Sequence, residues 1–110
     1  MEVKSTAKGV RVSPKKVRRV VDLVRGKGAD EALAVLNFMP SPIARTVSRV
    51  VKSAVASAEN NYQMTPSELK ITRAYVDEGT RMKRVRFAGR GRVSPILKRS
   101  CHITVVVEEI

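Results

Sequence analysis

The segment from residue 80 to residue 100 constrains this 110-residue chain most strongly, because it carries eight Lys or Arg residues and no acid. No Asp or Glu occurs between Glu78 and Glu108, so these cations have no acidic neighbour in sequence. Segments typical of β-strands flank the stretch, which itself contains the β-branched Val85 and Val93. The pattern predicts a long basic β-hairpin over residues 80–100 that protrudes from the domain.

Such a hairpin has no core beneath it. With arms of about ten to twelve residues at roughly 3.3 Å per residue, it would project on the order of 35 Å. An isolated hairpin is marginal in water, and like charges weaken it further. A disordered basic loop is the alternative interpretation. In either case we expect phosphates to hold the segment, because Arg binds them bidentately and stacks on bases.

The whole chain is also basic, with 22 Lys and Arg against ten acids, a net charge of +12 and a pI near 10.7. This surplus predicts a nucleic-acid partner. The length predicts a single domain over residues 1–110, and 43% hydrophobic residues allow a compact core. The lone Cys101, with no apparent signal peptide or membrane span, fits a reducing cytosolic compartment.

Three helices are predicted between the first strand and residue 60. Ser13-Pro14 and Ser41-Pro42 each combine an N-cap residue with proline at the first helical position, and Asp30 is the expected cap of a short helix between them. Apolar residues recur at helical spacing in the first and third helices; they are Val17, Val20, Val21 and Val24, then Ile43, Val47, Val50, Val51, Ala54 and Ala58.

Three strands complete the expected domain. Residues 3–12 predict an edge strand interrupted near Gly9, and residues 69–76 predict a strand whose apolar positions include Tyr75. Residues 102–107 give the strongest strand pattern, because Ile103, Val105 and Val107 alternate with His102, Thr104 and Val106.

No catalytic, metal or cofactor site is predicted. His102 lacks the Cys, His or carboxylate partners that a metal site needs, and Cys101 is more typical of a small buried residue than of a nucleophile. Asp77-Glu78 precedes a glycine and suggests a turn, while residues 89–91 lack the Lys-Ser/Thr ending of a P-loop. The pattern therefore argues against an enzyme.

Two other binding functions remain as alternatives. The first two helices could form a DNA-binding helix-turn-helix of a regulator, but the second helix has acids at Asp30 and Glu31 and no Lys or Arg. A general RNA chaperone without a fixed site is the other alternative. A unique footprint on structured RNA would distinguish an assembly protein from a chaperone.

Several stretches resemble the bacterial form of the universal large-subunit ribosomal protein twenty-two family. Together they span essentially the whole chain and are specific in combination: VRVSPKKVRRVVDLVRGK at 10–27, SAVASAENN at 53–61, VDEG at 76–79, MKR at 82–84 and LKRSCHITVVV at 97–107. The segment 86–92 and Pro95 depart from the family's usual pattern at the hairpin tip.

The resemblance implies an α+β fold, in which a small antiparallel three-stranded sheet packs with three helices and a long β-hairpin protrudes. It implies a structural constituent of the large ribosomal subunit in the cytoplasm, monomeric within the ribosome and without cofactors. The implied partners are large-subunit (23S) ribosomal RNA, neighbouring large-subunit proteins and the nascent polypeptide in transit, with no membrane. The hairpin would line the peptide exit tunnel, where changes are linked to macrolide resistance.

The resemblance and the charge pattern together give two sets of expected site residues. The expected ribosomal-RNA-binding residues are Arg11, Ser13, Lys15, Lys16, Arg18, Arg81, Lys83, Arg84, Arg86, Lys98 and Arg99. The expected tunnel-facing hairpin residues are Met82, Lys83, Arg84, Ala88, Gly89, Arg90, Gly91 and Arg92.

Overall fold

The computed structural model describes residues 2–79, 82–89 and 91–109, with the backbone alone described for 82–88 and 92–97. It confirms the predicted α+β fold of three helices and a three-stranded antiparallel sheet. The elements in chain order are β1 (Glu2–Val10), α1 (Pro14–Val24), α2 (Ala29–Phe38), α3 (Pro42–Tyr62), a 3-10 turn (Pro66–Glu68), β2 (Leu69–Glu78), β3 (Met82–Ala88), β4 (Arg92–Lys98) and β5 (Cys101–Glu109).

The central sheet has the strand order β1-β5-β2, with both pairs antiparallel. The strand with the most apolar residues is therefore the middle one, as burial on both sides requires. Ile103, Val105 and Val107 are fully buried, and α1 and α3 pack against this sheet. Val106 is buried as well, and an ion pair between Arg73 of β2 and Glu2 of β1 spans β5.

The helical stripes predicted from spacing form the other half of the core. All four predicted valines of α1 are buried, and so are five of the six predicted residues of α3. The sixth, Ile43, is partly buried and packs against the core. Because most of these side chains are Val or Ala, α1 and α3 can approach the sheet closely.

The two serine caps differ in the structure. Ser41 caps α3 as predicted, since its Oγ accepts a hydrogen bond from the backbone N–H of Ile43 at 3.3 Å. The predicted side-chain cap at Ser13 is wrong: the Ser13 side chain makes no capping hydrogen bond. Instead, its carbonyl oxygen accepts from the backbone N–H groups of Lys16 and Val17, at 3.1 and 3.3 Å.

The start of α2 also differs from the prediction. Its N-cap is Gly28, and Asp30 lies in the first helical turn. Residues 26–28 pair with β2: the Gly26 N–H donates to the carbonyl of Ile71 at 3.0 Å, and the Ile71 N–H donates to that of Lys27 at 2.9 Å. The helix begins directly after this pairing, so its N-cap lies two residues before the cap that the sequence favoured.

A bulge explains the position of Tyr75. The register of β2 against β5 shifts between Ile71 and Arg73, so the alternation of faces changes partway along the strand. Ala74 and Val76 consequently continue the buried face after Ile71, while the side chain of Tyr75 is 39% exposed.

The hairpin forms a second, two-stranded sheet of β3 and β4. Each strand has seven residues, so the predicted arms of ten to twelve residues were too long. The two strands contact chiefly each other. The molecule is accordingly elongated, with a radius of gyration of 17.0 Å and principal extents of 62 × 26 × 18 Å. A compact domain of this length would have a radius of gyration of about 13 Å.

Candidate nucleic-acid interface

In the seven described pairs of the hairpin, no positive residue lies directly opposite another. Lys83, Arg84 and Arg86 of β3 pair with the neutral Leu97, Ile96 and Ser94 of β4. At the two ends of the ladder the cation is on β4 and the neutral residue is on β3, because Met82 pairs with Lys98 and Ala88 pairs with Arg92. Like charges directly opposite each other destabilise a strand pair. The register therefore reduces repulsion across the ladder while leaving a high charge along it.

The turn and the proline fit a ribbon with two free edges. Gly91, in the connection after the last pair Ala88–Arg92, has a φ of +71°, a conformation that L side chains rarely adopt. Gly89 and Gly91 are both exposed. Pro95 lies opposite Val85, and a two-stranded ribbon accepts proline because each strand is an edge.

The root of the hairpin continues the central sheet. Glu78 and Cys101 form the last pair of β2 and β5, and the Gly79 N–H donates to the carbonyl of Ser100 at 2.9 Å. A Cβ at Gly79 would lie 2.5 Å from Ser100 Oγ and 3.2 Å from His102 Cε1, so the Ser100 side chain would have to move to admit a side chain at position 79.

The first basic segment lies beside this root. Val10, the last residue of β1, pairs with Cys101, and Arg11 follows immediately. α1 then begins at Pro14 and presents Lys15 and Lys16 to solvent. The start of α1 thus lies near the root of the hairpin, although about 70 residues separate the two in sequence.

Arg18 contacts the protein's own backbone instead of being a free surface cation. Its Nη2 donates to the carbonyl of Val76 at 3.1 Å. Arg25, two turns later, donates from Nε and Nη2 to the carbonyl of Ala74, at 3.0 and 2.7 Å, and its Nη1 lies 2.9 Å from Asp22. Both carbonyls lie on β2, an edge strand of the sheet. The two guanidinium groups therefore occupy acceptors that would otherwise be open to another strand.

Two residues near the root have structural functions. Cys101 is fully buried, and this burial raises the pKa of its thiol, against a smaller opposing effect of the Arg18 charge. A neutral buried thiol is a poor nucleophile. His102 Nδ1 accepts a hydrogen bond at 3.0 Å from the N–H of Gly9, a residue within the register shift of β1. The only histidine thus stabilises a bulge.

The structure brings six of the expected residues together around the hairpin root. Arg11, Lys15, Lys16, Lys98 and Arg99 are exposed around the hairpin root, and Ser13 is half-buried there. The remaining hairpin residues are placed along its backbone ladder. Arg81 and Arg90 lie outside the described residues.

The exposed cations outside the expected set include four on the helices that could bind RNA. Arg19 on α1 adjoins the expected set, and its place in the run from Lys15 to Arg19 could have revealed it. Arg45, Arg49 and Lys52 lie on α3 at i, i+4 and i+7, a spacing that puts them on one helix face. That spacing was visible in the sequence, but the prediction for this helix used only its apolar stripe.

Over the part of the chain that the structure describes, no cluster of three His, Cys, Asp or Glu residues could hold a metal ion. None of the described helices combines the length and the apolar character needed to cross a membrane.

The comparisons with known proteins agree with this geometry. The family model described as ribosomal protein L22p/L17e matches residues 5–108. Similar curated proteins include the large ribosomal subunit protein uL22 of Dehalococcoides mccartyi strains BAV1 and CBDB1, each 59% identical over 99% of this chain and 100% of the relative. The uL22 protein of strain 195 of that species is 58% identical with the same coverage. This chain belongs to the ribosomal protein L22p/L17e family.

Proposed function

We propose that this chain, a structural constituent of the large ribosomal subunit, binds and organises large-subunit (23S) ribosomal RNA. In the same proposal its β3–β4 hairpin lines the nascent-peptide exit tunnel in the cytoplasmic ribosome. The chain acts there as a monomer beside other large-subunit proteins, and the nascent polypeptide passes its hairpin. Membership of a family of structural ribosomal proteins supports this function over catalysis.

One observation carries the proposal. The acid-free ribbon of β3 and β4 lies outside the core and continues directly into a root surrounded by the exposed cations Arg11, Lys15 and Lys16. A protein alone gains nothing from concentrating charge in this way, because each added cation raises its self-repulsion. Packed phosphates remove that cost and release counterions as they bind.

The tunnel-facing residues are carried over from the family resemblance, and the hairpin backbone is compatible with that position. Met82 to Arg84 lie at the start of β3, and Ala88 to Arg92 include the end of β3 and the turn. A narrow two-stranded ribbon can enter a channel in folded RNA, where its basic residues would meet phosphates and its glycine-rich tip would meet the channel. Arg81 and Arg90 belong to the proposal by sequence only.

RNA binding is tested by removing cations at the root. The variant Lys15→Gln/Lys16→Gln/Arg19→Gln removes three exposed charges, whereas the control Lys27→Gln removes a cation whose Nζ lies 3.6 Å from Glu31. The slope of log affinity for 23S RNA against log salt should become about two to three units shallower in the triple variant and remain unchanged in the control. A slope that the triple variant leaves unaltered would overturn the proposed root contact. Equal affinity for unrelated structured RNA would favour the RNA-chaperone function instead.

Tunnel lining needs a separate measurement. In a Cys101→Ser background, Gly89→Cys places a thiol at the exposed tip, and Asn60→Cys places one on exposed α3, near the end of the sheet opposite the hairpin. Assembled ribosomes with stalled nascent chains of increasing length should form crosslinks from position 89 within a limited range of lengths, and none from position 60. If position 89 gives no crosslink at any length, the hairpin does not line the path of the peptide.

A further inference from the structure

Phe38 is the most exposed large apolar residue in the described part of the chain. It ends α2, and its side chain is 89% exposed. An aromatic side chain stabilises a fold by being buried in the core. Phe38 is not buried, so it contributes little to the stability of the domain. Two hydrogen bonds hold the following turn, because the Met39 N–H donates to the carbonyl of Leu36 at 3.3 Å and the Ser41 N–H donates to that of Met39 at 2.9 Å. The ring therefore projects from an ordered position.

A groove of about 500 Å³ adjoins the ring. The turn after α2 forms one wall, and the face of α3 that carries Arg45, Arg49 and Lys52 forms the other. No Asp or Glu lines this groove, and among the described residues none makes a hydrogen bond or ion pair with these three cations. An aromatic ring and three unpaired cations thus face the same concave surface.

This combination fits single-stranded RNA better than a protein. Unpaired bases stack on exposed aromatic rings, and Arg or Lys beside such a ring binds the flanking phosphates. A protein helix in the same groove would have to supply three acids in matching positions and would leave the cations costly to desolvate. The volume also suits one base with part of its backbone, since sites for small ligands begin at about 300 Å³.

We propose that Phe38 and the Arg45, Arg49 and Lys52 face form a second RNA site, which binds an unpaired nucleotide of the large-subunit RNA by stacking and holds its phosphates. This inference rests on the proposed RNA-binding function and names a site away from the hairpin and its root. The base stacks on the ring of Phe38. The three cations on α3 grip the strand on both sides of the stacked nucleotide.

Fluorescence provides a direct test, because the chain contains no Trp. Phe38→Trp introduces a unique indole at the proposed stacking position, and Leu23→Trp places one at a control site on α1 that is 49% exposed. Titration with the full-length large-subunit RNA transcript should quench the indole at position 38 strongly and the indole at position 23 weakly. Phe38→Ala should weaken affinity about tenfold, while Phe38→Tyr retains it.

The cations give an independent readout. Arg45→Gln/Arg49→Gln/Lys52→Gln should make the salt dependence about two units shallower. Unchanged thermal unfolding of each variant confirms that folding is intact, as expected for exposed side chains. Full RNA affinity in Phe38→Ala, with no quenching of the indole in Phe38→Trp, overturns the second site and leaves the root contact standing. Fluorescence that changes on addition of a neighbouring large-subunit protein but not on addition of the RNA assigns the groove to that protein and also overturns it. Absence of specific RNA binding by the unmodified chain defeats the proposed function itself.

Discussion

Replacing Arg25 with Met tests whether this cation stabilises the fold instead of contacting RNA. Arg25 donates two hydrogen bonds to the carbonyl of Ala74, at 3.0 and 2.7 Å, and pairs with Asp22. Hydrogen bonds from a charged group contribute about 1.5 to 3 kcal/mol. Because the side chain is 47% exposed, we take the lower end for the pair of bonds. The exposed Asp22 pair adds at most about 0.5 kcal/mol. Met keeps the length of the aliphatic stem, so the loss isolates the guanidinium group.

The expected loss is therefore about 1.5 to 2 kcal/mol of the free energy of unfolding, which lowers Tm by roughly 6 to 9 °C for a domain of this size. Urea and thermal unfolding followed by circular dichroism measure it. Arg19→Met is the matched control, because Arg19 is exposed on the same helix without a described partner and should change stability by less than about 0.5 kcal/mol. Asp22→Asn, alone and combined with Arg25→Met, separates the ion pair from the carbonyl bonds. Equal stability of the Arg25→Met and Arg19→Met variants would refute the structural function of Arg25.

Three further predictions follow from the fold. Ser41→Ala should lower the free energy of unfolding in urea by about 1 kcal/mol, while Ser13→Ala should leave it almost unchanged. The reason is that the Ser41 side chain accepts a hydrogen bond from a helical N–H and the Ser13 side chain does not. Equal losses in the two variants would contradict this. Burial raises the pKa of Cys101 above its ordinary 9.0, so unfolding releases the thiol proton at alkaline pH. The stabilisation from burying the neutral thiol is complete below pH 9.0 and is lost as the pH rises from there through the folded-state pKa. Urea unfolding at a series of pH values should show that Cys101→Ser removes this part of the decline in the free energy of unfolding. Identical pH profiles for the variant and the unmodified chain would count against it. Deleting Met82 to Arg84 should leave Tm within about 2 °C while chemical probing of assembled subunits reports an altered tunnel wall, since β3 contacts chiefly β4; collapse of the whole fold on deletion would show that the hairpin supports the core.

Periodicity predicted the core because the buried face of one helix or strand appears in the sequence as a regular repeat of apolar residues. The valine stripe of α1 and the alternation of Ile103, Val105 and Val107 each depend on the period of a single element, and the structure confirms both. Tyr75 shows the limit of this reasoning. The bulge after Ile71 arises from the pairing of β2 with β5, so a period of two carried along β2 alone assigns Tyr75 to the wrong face.

The candidate site was only partly predictable for a similar reason. Charge density identified the hairpin and the start of α1, but not which cations are already engaged within the protein. Arg18 and Lys16 look alike in sequence, yet only Arg18 reaches a carbonyl 58 residues away. The groove beside Phe38 is formed by two helices, and neither helix alone indicates that an aromatic ring and three cations meet there.

The contacts that cover the edge of β2 also matter for copies of the chain that have not yet bound their partner. Rows of free backbone groups at sheet edges invite strands from other molecules. Along β2, residues 26–28, Arg18 and Arg25 occupy such groups, and along β1 the row is broken at the bulge near Gly9. Newly synthesised molecules therefore offer one another little continuous edge along β2. Contacts within the chain itself cover that edge before the final partner is bound.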